Sequence, residues 1–262
     1  MWVVILRRVW VILGLGIMAG NLFAESYETG NKDDLIDVYM IPGMGTDYRV
    51  FRDFSLENGN IKYIQWEDPG DVKTLEEYAS LLETQIDTSR KYVIVGASFG
   101  GMIGVELSQR LNNPYLILIS SAKTKKELPN KYKTARVFPL HLMVSDNLLQ
   151  NVSNKQFFYK DIIDPDDRLL YKQMMVENGA ALLKRQMDMI VHWENIEYDP
   201  RILHIHGSAD QVLPPRHIEN AVFIKGGTHK MIVNKSAQLC EIIDNYLLEF
   251  KSDDPSQQDQ DR

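Results

Sequence analysis

An α/β fold with a mainly parallel sheet of about six strands is predicted by three observations. Short apolar runs alternate with segments of helical periodicity, a pattern that implies parallel strands joined by right-handed crossovers. The run at residues 115–119 is wholly apolar, as expected of a strand that helices cover on both faces. The 262 residues are 44% hydrophobic and 25% charged, so the chain can bury a sizeable core.

The predicted strands are apolar stretches that turn residues or glycines interrupt. In chain order they cover residues 35–41, 61–66, 91–96, 115–119, 201–206 and 221–224. The helices between them have their own signals. Thr46 and Asp47 are suited to cap a short helix that runs through Phe54, and Thr74 forms a capping box with Glu77. Two further helical patterns cover residues 102–111 and 231–250, the second of which closes the fold.

Residues 123–199 interrupt the alternation, because they contain no strand pattern and read as helices. The longest helical pattern covers residues 166–193. Since the segment lies between the fourth and fifth strands, we predict a helical cap inserted into the domain. Its lysines at 123–126 are expected to lie on a solvated face. Its apolar side chains favour a substrate with an apolar acyl or alcohol group, or else pack the cap onto the core: Phe138, Leu140, Leu142, Met143, Leu148, Phe157 and Phe158.

The two ends of the chain differ from the domain between them, which we place at residues 25–250. Arg7 and Arg8 precede an apolar run and then Ala24, so residues 1–24 resemble a secretory signal peptide. We predict export to the periplasm or the medium. The alternative is an N-terminal membrane anchor, because the segment is long enough to span a bilayer. Residues 251–262 are polar and are predicted to be a disordered tail.

Charge and composition exclude some partners. The net charge of −7 repels nucleic-acid phosphates and anionic lipid headgroups, so no nucleic-acid partner is predicted. Cys240 is the only cysteine, which rules out an intrachain disulfide. The sequence has no metal-ligand spacing and its glycine-rich turns lack a phosphate-loop lysine, so we predict neither a cofactor nor a metal.

A nucleophile is predicted at Ser98. The residues from Gly96 to Gly100 fit the pattern G-x-S-x-G, and they stand between an apolar strand and a helix. That setting is the one a nucleophile elbow requires, in which the serine occupies a tight, strained turn with small neighbours. Gly96, Gly100 and Gly101 supply the space.

A base and an acid are predicted at His229 and Asp210. His229 follows the last strand, at the sheet edge where Ser98 also lies. Of the other histidines, His204 and His206 fall within a strand, and the rest are in or near helices: His141, His192 and His217. Asp210 ends the turn after the fifth strand, a strand-end position that Asp188 and Asp199 lack. A buried carboxylate there can orient the imidazole.

Two backbone N–H groups are predicted to form an oxyanion hole. Phe99 follows the nucleophile directly, and Met44 lies in the Gly43-Met44-Gly45 turn after the first strand. Glycines in that turn allow the backbone to approach the reacting group closely.

The signatures Pro-Gly-Met-Gly, Gly-x-Ser-x-Gly, His-Gly-x-x-Asp and Gly-Gly-x-His, in this order and with a helical insert, resemble those of the α/β-hydrolase superfamily. The resemblance spans residues 35 to about 250. It implies the α/β-hydrolase fold, a Ser98–Asp210–His229 triad and a lid over the pocket. Two features depart from the family: the usual opening hairpin is missing or reduced, and the His-Gly-Gly-Gly oxyanion loop of lipases is absent.

The predicted function is hydrolysis of an ester-type bond in a small acyl substrate, by way of an acyl-enzyme on Ser98. The bond is a carboxylic ester, a thioester or a lactone. A peptidase and an acyltransferase also stay open, the latter because the choice of acceptor depends on the access of water to the pocket. A non-catalytic ligand-binding protein on the same fold is the alternative of a different class.

Overall fold

Six parallel strands form one sheet in the computed structural model, which describes residues 35–113, 115–153 and 159–252. The strands are β1 (Ile36–Ile41), β2 (Gly59–Tyr63), β3 (Tyr92–Ala97), β4 (Leu116–Ile119), β5 (Leu203–Gly207) and β6 (Val222–Ile224). Their spatial order is β2-β1-β3-β4-β5-β6, and each neighbouring pair is parallel. The predicted fold class is therefore confirmed.

The edge strand β2 is the one whose position differs most from the prediction. It begins at Gly59, two residues before the predicted start, because Gly59 is already in register with Ile36 of β1. Asn58 also accepts a hydrogen bond from the backbone N–H of Ile36 through its carbonyl. The start of β2 is therefore set by its pairing with β1, and the hydropathy of the sequence gives no information about that pairing.

Alternate side chains of the central strands feed two apolar layers. Val38 and Met40 of β1 belong to one layer, and Tyr39 and Ile41 belong to the other. Every residue of β1 is buried, as expected of a parallel strand that is covered on both faces.

The part of the chain that the structure describes contains nine α-helices. They are α1 (Leu75–Leu82), α2 (Phe99–Arg110), α3 (Asn130–Val137), α4 (Leu140–Met143), α5 (Asp146–Ser153), α6 (Pro165–Glu177), α7 (Gly179–Val191), α8 (Met231–Asn234) and α9 (Ser236–Ser252). The predicted capping box of α1 is confirmed, and Asp47 caps a short 3-10 helix, Tyr48–Phe51. No helix among the described residues combines the length and hydrophobicity of a membrane span.

Helices α3 to α7 lie between β4 and β5 and form the cap. The pattern predicted at 166–193 is two helices rather than one, because the chain turns at Gly179, whose φ is +74°. The last predicted helix is likewise divided, into α8 and α9, and it extends to Ser252. The predicted leader, residues 25–34 of the predicted domain and residues 253–262 of the predicted tail lie outside the described residues.

Candidate active site

Ser98 sits between β3 and α2 in a strained conformation, with φ 51° and ψ −117°. A residue other than glycine in this sparsely populated backbone conformation costs about 1–3 kcal/mol, so surrounding contacts must hold the turn in place. The Ser98 N–H donates to the carbonyl of Ile119 at 2.9 Å. Its own carbonyl accepts from the Ser121 hydroxyl at 2.6 Å. These bonds fix the turn to the end of β4.

The glycines around Ser98 are required by close backbone approach. A Cβ on Gly96 would lie 2.5 Å from the Cα of Gly101. A Cβ on Gly100 would overlap the carbonyl oxygens of Ile41 and Pro42. The space that the sequence pattern predicted is thus used by the chain folding back on itself.

The three residues predicted as a triad form one hydrogen-bond chain. Ser98 Oγ lies 2.9 Å from His229 Nε2, and His229 Nδ1 lies 2.8 Å from Asp210 Oδ2. Because an ionised carboxylate only accepts, Nδ1 carries the proton and Nε2 accepts from the serine hydroxyl. This tautomer is the one a general base needs.

Asp210 is a buried carboxylate, only 2% exposed, whose oxygens are already occupied. Its Oδ1 accepts from the N–H groups of Val212 at 2.8 Å and Leu213 at 2.9 Å, which leaves Oδ2 for His229. Burial opposes ionisation, but the His229 hydrogen bond, with the Leu213 N–H, holds the pKa of Asp210 below its ordinary value. The carboxylate is therefore charged at neutral pH.

The parallel sheet brings these groups together. Met44 follows β1, Ser98 follows β3, Asp210 follows β5 and His229 follows β6, so all four lie at the carboxyl edge. The chain moves outward from β1 to β2 and returns to place β3 on the other side of β1. Open α/β sheets bind ligands at such a reversal of strand order.

The two predicted oxyanion donors lie on either side of this reversal. Phe99 is the first residue of α2, so its N–H has no acceptor within the helix. Met44 follows Gly43, at which an added Cβ would lie 3.5 Å from Ser98 Cβ. The turn that carries Met44 therefore passes directly beside the serine.

The cap supplies a residue that sequence reasoning missed. Gln186 of α7 is fully buried, and its Oε1 accepts from the Gly45 N–H at 3.2 Å. Its Nε2 has no hydrogen-bond partner among the described residues. One glutamine within a cap helix carries no sequence signal, because only the folded chain brings it to the turn of Gly43 to Gly45.

Helices α6 and α7 also contact that turn through apolar and charged side chains. A Cβ on Gly45 would lie 2.5 Å from Met175 Sδ and 3.2 Å from Leu183 Cδ1. Beyond the turn, Arg49 pairs with Glu177, and Arg52 pairs with Asp167. The cap is thus attached to the same segment that carries Met44.

Four of the apolar cap residues named from the sequence are exposed rather than packed onto the core. Phe138 is 65% exposed and Met143 is 78% exposed, and Leu142 and Leu148 are also exposed. The side chain of Leu140 and the whole of residues 157 and 158 lie outside what the structure describes. Beside the turn that carries Met44, the apolar side chains come instead from Met175 and Leu183.

The lysine cluster at 123–126 is not uniformly solvated, so that prediction was wrong. Lys123 is 1% exposed and Thr124 is 4% exposed, whereas Lys126 is exposed. Lys123 can be buried because Glu127 lies 3.0 Å away and neutralises its charge. The histidines expected within a strand, His204 and His206, are both buried in β5.

One cavity lies outside the triad. It has a volume of about 400 Å³ and lies beside the Asp210 turn, but it contains no triad residue and so does not expose the serine. Its walls are Pro129, Asn130, Lys131, Gln211, Val212, Pro214, Arg216 and His217. Within the ranges that the structure describes, no group of three or more His, Cys, Asp or Glu side chains is arranged to hold a metal ion.

Comparison with known proteins identifies the fold. No family profile and no curated protein matches the chain. A putative lipase from Acinetobacter baumannii AYE is similar in structure, with a TM-score of 0.63 and 14% identity over 84% of this chain and 86% of that one. The enol-lactonase from Burkholderia xenovorans LB400 has a TM-score of 0.62 and 14% identity over 82% and 92%. An esterase from Exiguobacterium antarcticum has a TM-score of 0.59 and 15% identity over 81% and 91%. The chain has the α/β-hydrolase fold, as the sequence resemblance predicted.

Proposed function

We propose that the protein is a serine hydrolase that cleaves an ester-type bond through an acyl-enzyme on Ser98. The observation that carries the proposal is the chain of hydrogen bonds from Ser98 Oγ to His229 and on to Asp210, at 2.9 and 2.8 Å. Proteins of similar structure include an esterase and a lactonase, which supports ester hydrolysis.

In the first half of the reaction, His229 Nε2 takes the serine proton as Ser98 Oγ attacks the substrate carbonyl. Asp210 stabilises the imidazolium that forms. The carbonyl oxygen becomes an oxyanion, which accepts hydrogen bonds from the N–H groups of Phe99 and Met44. His229 then gives its proton to the departing alcohol, thiol or ring oxygen, and the acyl group stays on Ser98.

In the second half, water attacks the acyl-enzyme while His229 takes its proton. Collapse of the second oxyanion releases the acid and restores the Ser98 hydroxyl. Each oxyanion donor contributes on the order of 10²–10³ in rate, so the position of the Met44 turn matters for turnover. Gln186 holds that turn through Gly45.

The substrate we propose is a small acyl compound with an apolar group. Met175 and Leu183 of the cap pack against Gly45, beside the turn that carries Met44. An apolar acyl or alcohol group would add to this surface when it binds. No group assigned to the reaction requires a cofactor.

The test is covalent labelling of Ser98. A fluorophosphonate probe should label the parent protein at Ser98, and Ser98→Ala should remove both labelling and the turnover of short p-nitrophenyl esters. We expect turnover to fall by at least about 10³-fold, because loss of the nucleophile leaves only binding and the oxyanion donors. Ser89→Ala, which alters an exposed serine in the loop after α1, is the matched control.

Two outcomes would contradict the proposal. Turnover that persists in Ser98→Ala would exclude Ser98 as the nucleophile. Labelling of the parent without turnover of carboxylic esters, thioesters or lactones would favour the ligand-binding protein. Product analysis with added alcohols separates hydrolysis from acyl transfer.

Export of the protein is part of the proposal and rests on residues 1–24. A mature chain that begins near Glu25 would support cleavage of a signal peptide. An intact N-terminus in the membrane fraction would support the anchor.

A further inference from the structure

A line of buried polar side chains runs behind the triad acid, from the segment after β4 to the turn after β5. We propose that Lys123, His204 and His206 form a directed hydrogen-bond chain that positions the Asp210 carboxylate for the proposed reaction. The inference rests on the proposed function, and the three side chains are positioning residues, since none contacts Ser98.

The first link is the Lys123 ammonium group, whose three N–H donors face three acceptors on neighbouring residues. Its Nζ lies 3.0 Å from Glu127 Oε1 and 3.2 Å from His204 Nδ1, and it also donates to the Glu219 carbonyl. An ammonium group only donates, so His204 Nδ1 must accept. The proton of a neutral His204 is therefore on Nε2.

The last link fixes the tautomer of His206 independently. His206 Nε2 lies 2.9 Å from the carbonyl oxygen of Leu213, which only accepts. The proton of His206 is therefore on Nε2, and its Nδ1 is an acceptor. The gap between the rings, from His204 Nε2 to His206 Nδ1, is 3.3 Å. One arrangement satisfies both ends: His204 carries its proton on Nε2 and His206 Nδ1 accepts it, while the backbone of Ser121 offers His204 a second acceptor.

The chain reaches Asp210 in two ways. His206 Nε2 lies 3.5 Å from Asp210 Oδ2, the oxygen that binds His229. Leu213 links the two residues as well, because its carbonyl accepts from His206 while its N–H donates to Asp210 Oδ1 at 2.9 Å. His206 therefore holds the turn that holds the carboxylate.

The arrangement requires neutral histidines, because a proton on each facing nitrogen would set two donors against each other. Burial, together with the Lys123 charge, holds the pKa of His204 well below its ordinary range. Burial also lowers the pKa of His206. The charged and titratable groups that face the chain from neighbouring elements are Glu127, Lys131, Tyr132, Tyr198, Asp210 and His229.

His206→Phe keeps a ring in the site and removes the donor. We expect kcat to fall about tenfold with KM unchanged, the lower end of what the loss of an outer hydrogen-bond partner does to a catalytic group. The acidic limb of the kcat/KM profile should move to higher pH, because Asp210 then offsets more of the charge on the imidazolium. His206→Gln, whose amide can replace the donor to Leu213, should restore most of kcat. His192→Gln, at an exposed histidine of the cap, is the control.

NMR tests the chain without turnover. Long-range proton–nitrogen spectra of the parent at pH 7 should show both histidines as neutral Nε2–H tautomers. Lys123→Met removes one of the two contacts that hold the proton on His204 Nε2, so an Nδ1–H form of His204 should become detectable, and kcat should fall less than in His206→Phe. If His206→Phe does not fold, His206→Gln and Lys123→Met still decide the matter.

The proposal is overturned if either histidine carries its proton on Nδ1 or is charged at pH 7. It is also overturned if His206→Phe folds and keeps the kcat and the pH profile of the parent. If the parent hydrolyses no ester, the proposed function is refuted instead. The NMR measurement of the two histidine tautomers then still tests the hydrogen-bond chain.

Discussion

Mild acid should destabilise this protein through the two buried histidines of β5. An unfolded histidine titrates near 6.5, whereas burial lowers the pKa of both His204 and His206 in the folded chain. Below pH 6.5 the unfolded chain therefore binds protons that the folded chain does not bind. Stability is complete above that pH and is lost as pH falls towards the folded pKa values.

The size of the loss follows from linkage. A histidine that takes up no proton while folded lowers the free energy of unfolding by about 1 kcal/mol between pH 6.5 and 5.5. His204, whose pKa is lowered the more, should contribute this amount, and His206 should bring the total to at most about 2 kcal/mol. For a domain of this size, the melting temperature should fall by about 2–8 °C. The pKa of Asp210 is held below 3.8, so its contribution is lost only at lower pH.

Thermal unfolding at pH 6.5 and 5.5 measures the effect. His204→Gln removes one titrating group, so its loss of stability between the two pH values should be about 1 kcal/mol smaller than that of the parent. His192→Gln, at an exposed position, should match the parent. Glu106, whose pKa burial raises, acts in the opposite direction and is common to all three proteins. An equal loss in His204→Gln and in the parent would refute the reasoning.

Two further predictions concern the serine turn and the cap. Ser98→Gly should be more stable than Ser98→Ala by about 1 kcal/mol in urea unfolding, since glycine relieves the strain that alanine keeps; a less stable glycine variant would show that the turn is unstrained. Gln186→Leu should lower kcat about tenfold, because the Gly45 N–H loses its acceptor and the oxyanion turn loosens. Its melting temperature should stay near that of the parent, because two effects offset each other. The substitution removes the buried Gln186 Nε2, which has no partner among the described residues, but it leaves the Gly45 N–H without its acceptor. Gln173→Leu, at an exposed position of α6, is the control, and equal kcat values in both variants would show that the Gln186 contact has no part in turnover.

The sheet and the meeting of Ser98, His229 and Asp210 could be predicted because their signals are local. Each signal is contained in a short stretch of sequence: an apolar run marks a strand, and a glycine pattern or a polar residue directly after it marks the site. Parallel pairing then brings strand ends to one edge without further information. The catalytic roles of these residues stay predictions until Ser98 is tested.

The surroundings of the site could not be predicted, because they depend on contacts between distant segments. Because Lys123 lies close to Lys125 and Lys126, the sequence predicts that it is exposed to solvent. It is buried because Glu127 and the Glu219 carbonyl converge on it. Gln186 meets Gly45 only when the cap folds over the sheet. The break at Gly179 was missed because apolar spacing continues on both sides of it.

The attachment of the cap to the turn of Gly43 to Gly45 has a consequence for selectivity. In the proposed reaction, a substrate that displaced α7 on entry would also separate Gln186 from Gly45, and the cap would have to settle again before the Met44 N–H was held in place. A bulky compound that keeps the cap raised can still occupy the site through its apolar parts. If the protein is the proposed serine hydrolase, a bulkier substrate should therefore lower the rate of acylation more than it weakens binding.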